Sequence, residues 1–278
     1  MKTGDAQAMN LTSMRCGGRI AQFITVESRD ELMRLLAGIN EYIILGGGFN
    51  TIFSDGLTLT PVIRLGEAFE AVDADESGML YAGGGASIAS ILTLCREKGL
   101  SGMEFMAGIP GTIGGAVRMN AGTNDKGIMD VVSFVELMDA TGSRRMEKAE
   151  IDYGYRHTEL PSKAVITGVG LSLEVTSPDD VRARISSFMD KRRNQPRGLS
   201  SGCIFKNPEG SSAGYLIDKA GLKGCRVGGA VVSDVHANFI INEGSASTTD
   251  ILKLIAIIKD EVRKQFSIEL QEEVVIIA

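Results

Sequence analysis

The chain has 278 residues, 44% hydrophobic and 23% charged, enough for a sizeable core and for two or three lobes. Its net charge of -6 is the opposite of a general nucleic-acid binder, and no apolar run approaches the roughly 18 residues of a membrane span. Four cysteines without a C-x-x-C pair and two histidines exclude an obvious zinc site, so no metal is expected; reduced thiols and an N-terminus without a signal-type apolar core fit a cytoplasmic protein.

Along the chain, helices and strands alternate. Ser28 with Glu31 has the spacing of a capping box, and Leu32, Leu35, Leu36 and Ile39 follow at helical spacing. Residues 42–45 read as a buried strand running straight into three glycines. Short strands are predicted at 61–65, 69–74 and 79–82. A helix over 86–98 presents Ile88, Ile91, Leu92 and Cys95 on one face and stops at Gly99. Residues 131–138 and 164–175 read as further strands. The segment 178–193 is an amphipathic helix with Val181, Ile185, Phe188 and Met189 inward. Its exit, RRNQPRGLSSG, is basic and turn-rich, and is the best linker in the chain. Beyond it come a short helix at 213–220 and a strand at 239–242. A long helix from Asp250 carries Ile251, Leu254, Ile255, Ile258 and Val262 inward, and a strand at 269–277 closes the chain.

Five segments carry chemistry. LGGGFNTIFSDG ends a strand in glycines whose backbone N–H groups can turn toward an anion; a glycine-rich turn alone also accounts for it. It is not the dinucleotide fingerprint, because no helix pattern opens after it. GIPGTIGGAVRMNAG offers a backbone surface with few side chains, suited to a flat ring system and a pyrophosphate; a structural turn explains two or three of its glycines, not all. YGYRHT holds Arg156, and a lone arginine is usually a solvated charge. SSGCIFKNP places Cys203 after Gly202, with Lys206 and Asn207 following; a cysteine is usually a buried packing residue. In IELQEEVVII, Glu273 can point inward, although a glutamate near a chain end is usually a surface residue.

Together these segments resemble one family. T-x-x-R-x-G-G from Thr12, LGGGFN, GMEFMAGIPGTIGGAVRMNAG, GYR, SSGCIFKNP, LKGCRVGGAVVSDVHANFIIN and the closing E-x-x-x-E-V follow the order of the UDP-N-acetylenolpyruvoylglucosamine reductases (MurB), from about Thr12 to Ile277. The short spacing of Arg156 and Cys203 resembles the class that lacks an extra substrate-closing loop. The resemblance implies an α+β fold. A two-lobed flavin domain of the vanillyl-alcohol-oxidase (PCMH) type spans residues 1–176. A C-terminal α+β substrate-binding domain spans 177–278, its last strand, 269–277, contributing Glu273.

It further implies non-covalent FAD, NADPH as electron donor, and an enolpyruvyl ether of a UDP-sugar as substrate, with no nucleic-acid or membrane partner and a monomeric state. The cofactor-binding residues would be Gly46, Gly47, Gly48, Phe49, Asn50 and Thr51, with Gly108, Pro110, Gly111, Thr112, Gly114, Gly115, Ala116, Asn120, Ala121 and Gly122. Arg156 and Glu273 match the pair that polarises the substrate carboxylate, Glu273 in a protonated or proton-sharing form. Cys203 stands where the family's proton donor is normally Ser. Lys206, Asn207, His236 and Asn238 would bind substrate. Three positions depart from the pattern: Phe49 where Ser or Thr is usual, Thr158 where Ser is common, and TNDKGI in place of a glycine-rich stretch. An oxidase of the same flavin fold and an inactive sugar-nucleotide-binding relative are the alternatives.

Overall fold

The computed structural model describes residues 1–123 and 126–277; Asn124 and Asp125, within TNDKGI, lie outside the described residues. The architecture is α+β, as the resemblance implies. The chain divides into two compact units, neither of them one continuous stretch. The first comprises Met1–Thr3, Phe23–Gly47 and Pro61–Arg193, the second Gly4–Gln22, Gly48–Thr60 and Asn194–Ala278. The division after Arg193 falls inside the segment read as a linker.

In the first unit, helix α1 (Arg29–Gly38) starts as the capping signal predicts, Ser28 Oγ accepting from Glu31 N–H. The Glu31 carboxylate reaches one residue further back than a capping box requires, to the N–H of Glu27 at 2.8 Å. Leu32 and Leu36 of α1 are buried with Ile24, Val26, Ile63 and Phe69. There Phe23, Ile24, Thr25 and Val26 pair in parallel with Val62–Leu65, which also pairs with Ile43–Ile44. The larger sheet of this unit is antiparallel, in the order Gly142–Glu147, Val132–Asp139, Val165–Ser172, Met79–Gly83, Val72–Ala74. Its middle strand, VITGVGLS, is buried everywhere except Ser172, the pattern of a strand covered on both faces. Gly170 in that strand lies against the Phe134 ring, which leaves no space for a side chain.

Helix α2 (Ile88–Lys98) is capped by Ser87 and ended by Gly99 at φ 69°, whose N–H returns to Cys95 O. Ile88, Ile91 and Cys95 join one core with Leu80, Phe105, Ile113 and Val169. Helix α3 (Ile113–Arg118) rises inside the glycine-rich second motif, where no helix was predicted; Thr112 caps it, accepting from Gly115 N–H. Helix α4 (Pro178–Lys191) buries Val181 fully and packs Phe188 partly, but Met189 is 47% exposed rather than inward. Its sulfur lies beside the backbone of Gly108, covering a glycine turn instead of entering the core. The predicted strand at 69–74 resolves into a 3-10 turn, Glu67–Phe69, and a strand, Val72–Ala74.

In the second unit, helix α5 (Ala213–Lys219) packs against helix α6 (Thr248–Phe266), and α6 packs on an antiparallel sheet of Arg226–Val227, Ala230–Val232 and Ile240–Asn242. All five predicted inward residues of α6 are buried, each stabilising by about 1.5–3 kcal/mol. Val275–Ile277 pairs in parallel with Thr51–Phe53. Regular strand pairing is thus shorter than 269–277, although ladder-type bonds begin earlier, Lys206 N–H to Gln271 O at 2.8 Å and Glu273 N–H to Ile204 O at 2.8 Å.

The N-terminus of α6 leaves four N–H groups without intrahelical acceptors, and each finds one. Ser247 N–H and Asp250 N–H exchange bonds with each other's side chains in a capping box. Thr248 and Thr249 N–H both donate to Asp55 at 2.8 Å, and Thr249 Oγ1 adds a third bond at 2.7 Å. Burial works against ionisation of Asp55, but the bonds from Thr249 and Thr248 outweigh it and hold the carboxyl below its ordinary value. A depressed carboxyl contributes stability above its unfolded value and loses it as pH falls through the folded one. Asp55→Ala is therefore expected to cost about 1–2 kcal/mol at neutral pH in urea unfolding. The gap to wild type should close at acid pH; a penalty independent of pH would show that the charge plays no part.

Candidate active site

The first unit assembles a backbone surface from three glycine runs. The strap that leaves Ile43–Ile44 passes so close to the second motif that a Cβ on Gly46 would lie 2.7 Å from Thr112 Oγ1. Gly108 and Gly111 adopt φ of +76° and +127°, conformations that favour glycine. The turn 111–114 is stitched to a third run, Gly83-Gly84-Gly85: Gly114 N–H donates to Gly84 O, Ile113 N–H to Ala86 O and Ile88 N–H to Gly111 O, at 2.8 to 3.0 Å. This third run was missed at the sequence level, although three glycines closing a strand were its signal. Ala116 and Ala121 lie in the core under the surface. Asn120, at φ +44° and buried, donates to Gly154 O and accepts from Met129 N–H.

Arg156 joins the same surface. It sits in the turn between Tyr153–Gly154 and His157–Thr158, at φ +52°, a left-handed conformation unusual for a non-glycine residue. Its guanidinium donates to Gly122 O at 2.8 Å and lies 5.3 Å from the Tyr155 ring centroid. Buried Thr158 donates to Val117 O of α3 at 2.7 Å, so the hydroxyl at this departing position anchors the arginine turn. Backbone strain of about 1–3 kcal/mol is held in place at such sites by surrounding contacts, here one on each side of the turn.

The second unit gathers the remaining residues. Gly202, at φ +76°, turns the chain so that Cys203 bridges Phe239 in antiparallel fashion. Ile204 N–H donates to Asn238 O, while the buried Asn238 side chain accepts from Phe205 N–H and donates to Phe205 O. Asn238 thus brackets the strand that carries Cys203 and Lys206. Asn207 Oδ1 accepts from Ala213 N–H at the start of α5. His236 Nδ1 accepts from Asn238 N–H, its ring meets Phe239 edge-on, and burial lowers its pKa, favouring neutral imidazole. Glu273 N–H bonds Ile204 O, one residue beyond Cys203. Asn50 Nδ2 donates to Glu273 O at 3.0 Å. Thr51 pairs with Val275. Gly48, at φ +71°, is packed on the 11–13 backbone and accepts from Ser13 N–H. Phe49 is 41% exposed on the same loop.

Arg156 belongs to the first unit, Cys203 and Glu273 to the second. Burial raises the pKa of Cys16 and pushes Cys95 to about 12, so neither is a ready nucleophile. Among the described residues no cluster of His, Cys, Asp and Glu is arranged to hold a metal ion.

A surface built from glycine backbone with few side chains suits a pyrophosphate and a planar ring system, and residues 20–146 match the FAD binding domain family. The class is a flavoprotein. Residues 195–277 match the family described as UDP-N-acetylenolpyruvoylglucosamine reductase, C-terminal domain. The chain is 40% identical to the UDP-N-acetylenolpyruvoylglucosamine reductase of Geobacter metallireducens, over 96% of this chain and 90% of that one. It is 39% identical to that of Syntrophobacter fumaroxidans, over 96% and 81%. The crystal structure of the enzyme (MurB) from Thermus caldophilus superposes with a TM-score of 0.90 at 35% identity, covering both chains fully. The chain belongs to the UDP-N-acetylenolpyruvoylglucosamine reductase family.

Two adjacent glycines allow the fold and the expected flavin contact to be tested apart. A Cβ on Gly114 would lie 2.7 Å from Gly84 O, breaking the stitch between two runs, whereas one on exposed Gly115 would meet only Thr112 Oγ1, at 3.4 Å. Gly115→Leu is expected to fold with wild-type stability yet purify colourless, while Gly114→Leu loses both properties. Flavin absorbance and thermal unfolding of the two variants check this; a fully flavinated Gly115→Leu enzyme would move the cofactor off this surface.

Proposed function

We propose that the protein reduces the enolpyruvyl ether of UDP-N-acetylglucosamine to UDP-N-acetylmuramate, a peptidoglycan precursor, as a cytoplasmic monomer using FAD and NADPH. Residues 1–176 form the flavin-binding part and residues 177–278 the substrate-binding part. Bound FAD would supply hydride-transfer chemistry between NADPH and the methylene carbon of the substrate. The glycine runs 46–51 and 108–122 would hold the cofactor through backbone groups. Arg156 and Glu273 polarise the substrate carboxylate as charge grows on it. Cys203 Sγ delivers the proton to the adjacent carbon. Lys206, Asn207 and His236 hold the sugar nucleotide, and Asn238 acts through the strand it brackets. Among the described residues no helix is long and apolar enough to cross a membrane.

What chiefly supports the reading is the bond between Glu273 N–H and Ile204 O, which ties two distant parts of the family pattern beside Cys203. An anaerobic spectrum tests the whole: the purified protein should be yellow, bleach with NADPH, and regain colour when the enolpyruvyl substrate is added. Recolouring by oxygen alone, with none by the substrate, would indicate an oxidase; no response to NADPH would end the reductase reading.

A further inference from the structure

Asn50 stands at the last position of the glycine loop, immediately before the strand Thr51–Phe53. Its main chain takes part in the regular pairing, since Val275 N–H donates to Asn50 O at 2.9 Å. Its side chain reaches past that pairing. Nδ2 donates to the main-chain oxygen of Glu273 at 3.0 Å, two residues before the closing strand begins at Val275. A side-chain amide therefore extends the ladder where backbone pairing with this strand has not yet started. On its other edge, Glu273 donates its N–H to Ile204 O at 2.8 Å. The Glu273 peptide is thus gripped from two sides, by the strand that carries Cys203 and by the loop that carries Gly48 and Phe49. Gly48 is itself fixed from behind, packed on the 11–13 backbone and accepting from Ser13 N–H at 3.0 Å.

We propose that Asn50 is a positioning residue for Glu273: its amide ties the Glu273 main chain to the glycine loop, so that occupancy of the loop by the flavin pyrophosphate sets where the Glu273 carboxyl stands. The inference rests on the reading of Glu273 as part of the reacting site and gives that reading a link to cofactor binding. Only a donor serves at this position, because Glu273 O is an acceptor. An ionised aspartate has the size of asparagine and only acceptors; protonated, it can donate again.

Asn50→Asp in the flavin-loaded enzyme is the test. In protein that carries flavin, reoxidation by the enolpyruvyl substrate should fall by roughly 10–10²-fold, the scale of a small misplacement of a reacting group, and by more than any change in reduction by NADPH. The deficit should shrink as pH is lowered and the introduced carboxyl gains its proton, against the wild-type profile as reference. Hydrogen exchange supplies a second readout: in wild type, adding FAD to flavin-stripped protein should slow exchange of the 270–277 peptide, and Asn50→Asp at high pH should lose that slowing.

A wild-type pH profile in Asn50→Asp overturns the proposal, and so does colourless protein, which would put the Asn50 side chain, and not only its backbone, on the flavin. Absence of any FAD effect on exchange in wild type overturns it also, even if the variant does not fold. Glu273→Gln run in parallel separates the two levels. Normal reoxidation there removes the reading of Glu273 and the proposal with it; slow reoxidation there beside a normal Asn50→Asp removes the proposal alone.

Discussion

Arg156→Ala is expected to slow flavin reoxidation by the enolpyruvyl substrate by about 10²–10³-fold, the usual cost of removing a preorganised partner of developing charge. Reduction of the flavin by NADPH should change by no more than about threefold, because no substrate carboxylate takes part in that step. The size of the effect follows from how the arginine is held. Its backbone is held at φ +52° and its guanidinium by a bond to Gly122 O, so in the proposed role it would need little reorganisation. Arg156→Lys is expected to recover little, since an ammonium is a point charge on a flexible stem and lacks the planar fork. Rapid mixing under anaerobic conditions separates the two half-reactions. Equal slowing of both would assign Arg156 to the architecture of its turn.

Cys203→Ala should accept electrons from NADPH like wild type and yet form product about 10²–10⁴-fold more slowly, the range attributed to a positioned proton donor. Cys203→Ser should stay within about tenfold of wild type, because a hydroxyl at the same turn can still donate, if less readily than a thiol. The turn supports a close approach: Gly202 adopts φ +76°, and a Cβ there would meet no atom within 4 Å. Ser201 is the competitor. Its hydroxyl is buried and, among the described residues, makes no hydrogen bond. Near-normal turnover in Cys203→Ala together with an inactive Ser201→Ala would transfer the role to the serine.

Much of the fold was legible because its signals are local. Gly99 ends α2 as read, and the inward face of α6 matches its five predicted residues. The helix α3 was hidden by composition: Gly114 and Gly115 disfavour a helix, and Thr112 with packing on the central strand overrides them. Met189 has the helical spacing of a core residue but ends over a glycine turn, which no periodicity encodes. For the site, motifs named the residues without telling where their side chains point. Asn238 is a substrate candidate by position, and its amide bonds the Phe205 backbone on both sides. Nothing in the tripeptide around Arg156 signals a left-handed backbone, and nothing near Asn50 signals its bond to Glu273. Those depend on partners far away in the sequence.

The second unit joins Gly4–Gln22 and Gly48–Thr60 to Asn194–Ala278, and its core sets Met14, Cys16 and Ile52 against Ile204, Leu254 and Val274. During translation the early apolar residues leave the ribosome long before their partners exist. At roughly 5–20 residues per second, the wait between Ile52 and Val274 is on the order of ten to forty seconds. The first unit, closed at Arg193, can fold while the remainder is still being made. The other must keep two short segments soluble and unaggregated through that interval, and it completes itself only when Val275–Ile277 settles beside Thr51–Phe53. A nascent chain stalled a few residues short of that point holds a finished first half and an open second one, a ready target for chaperones and proteases.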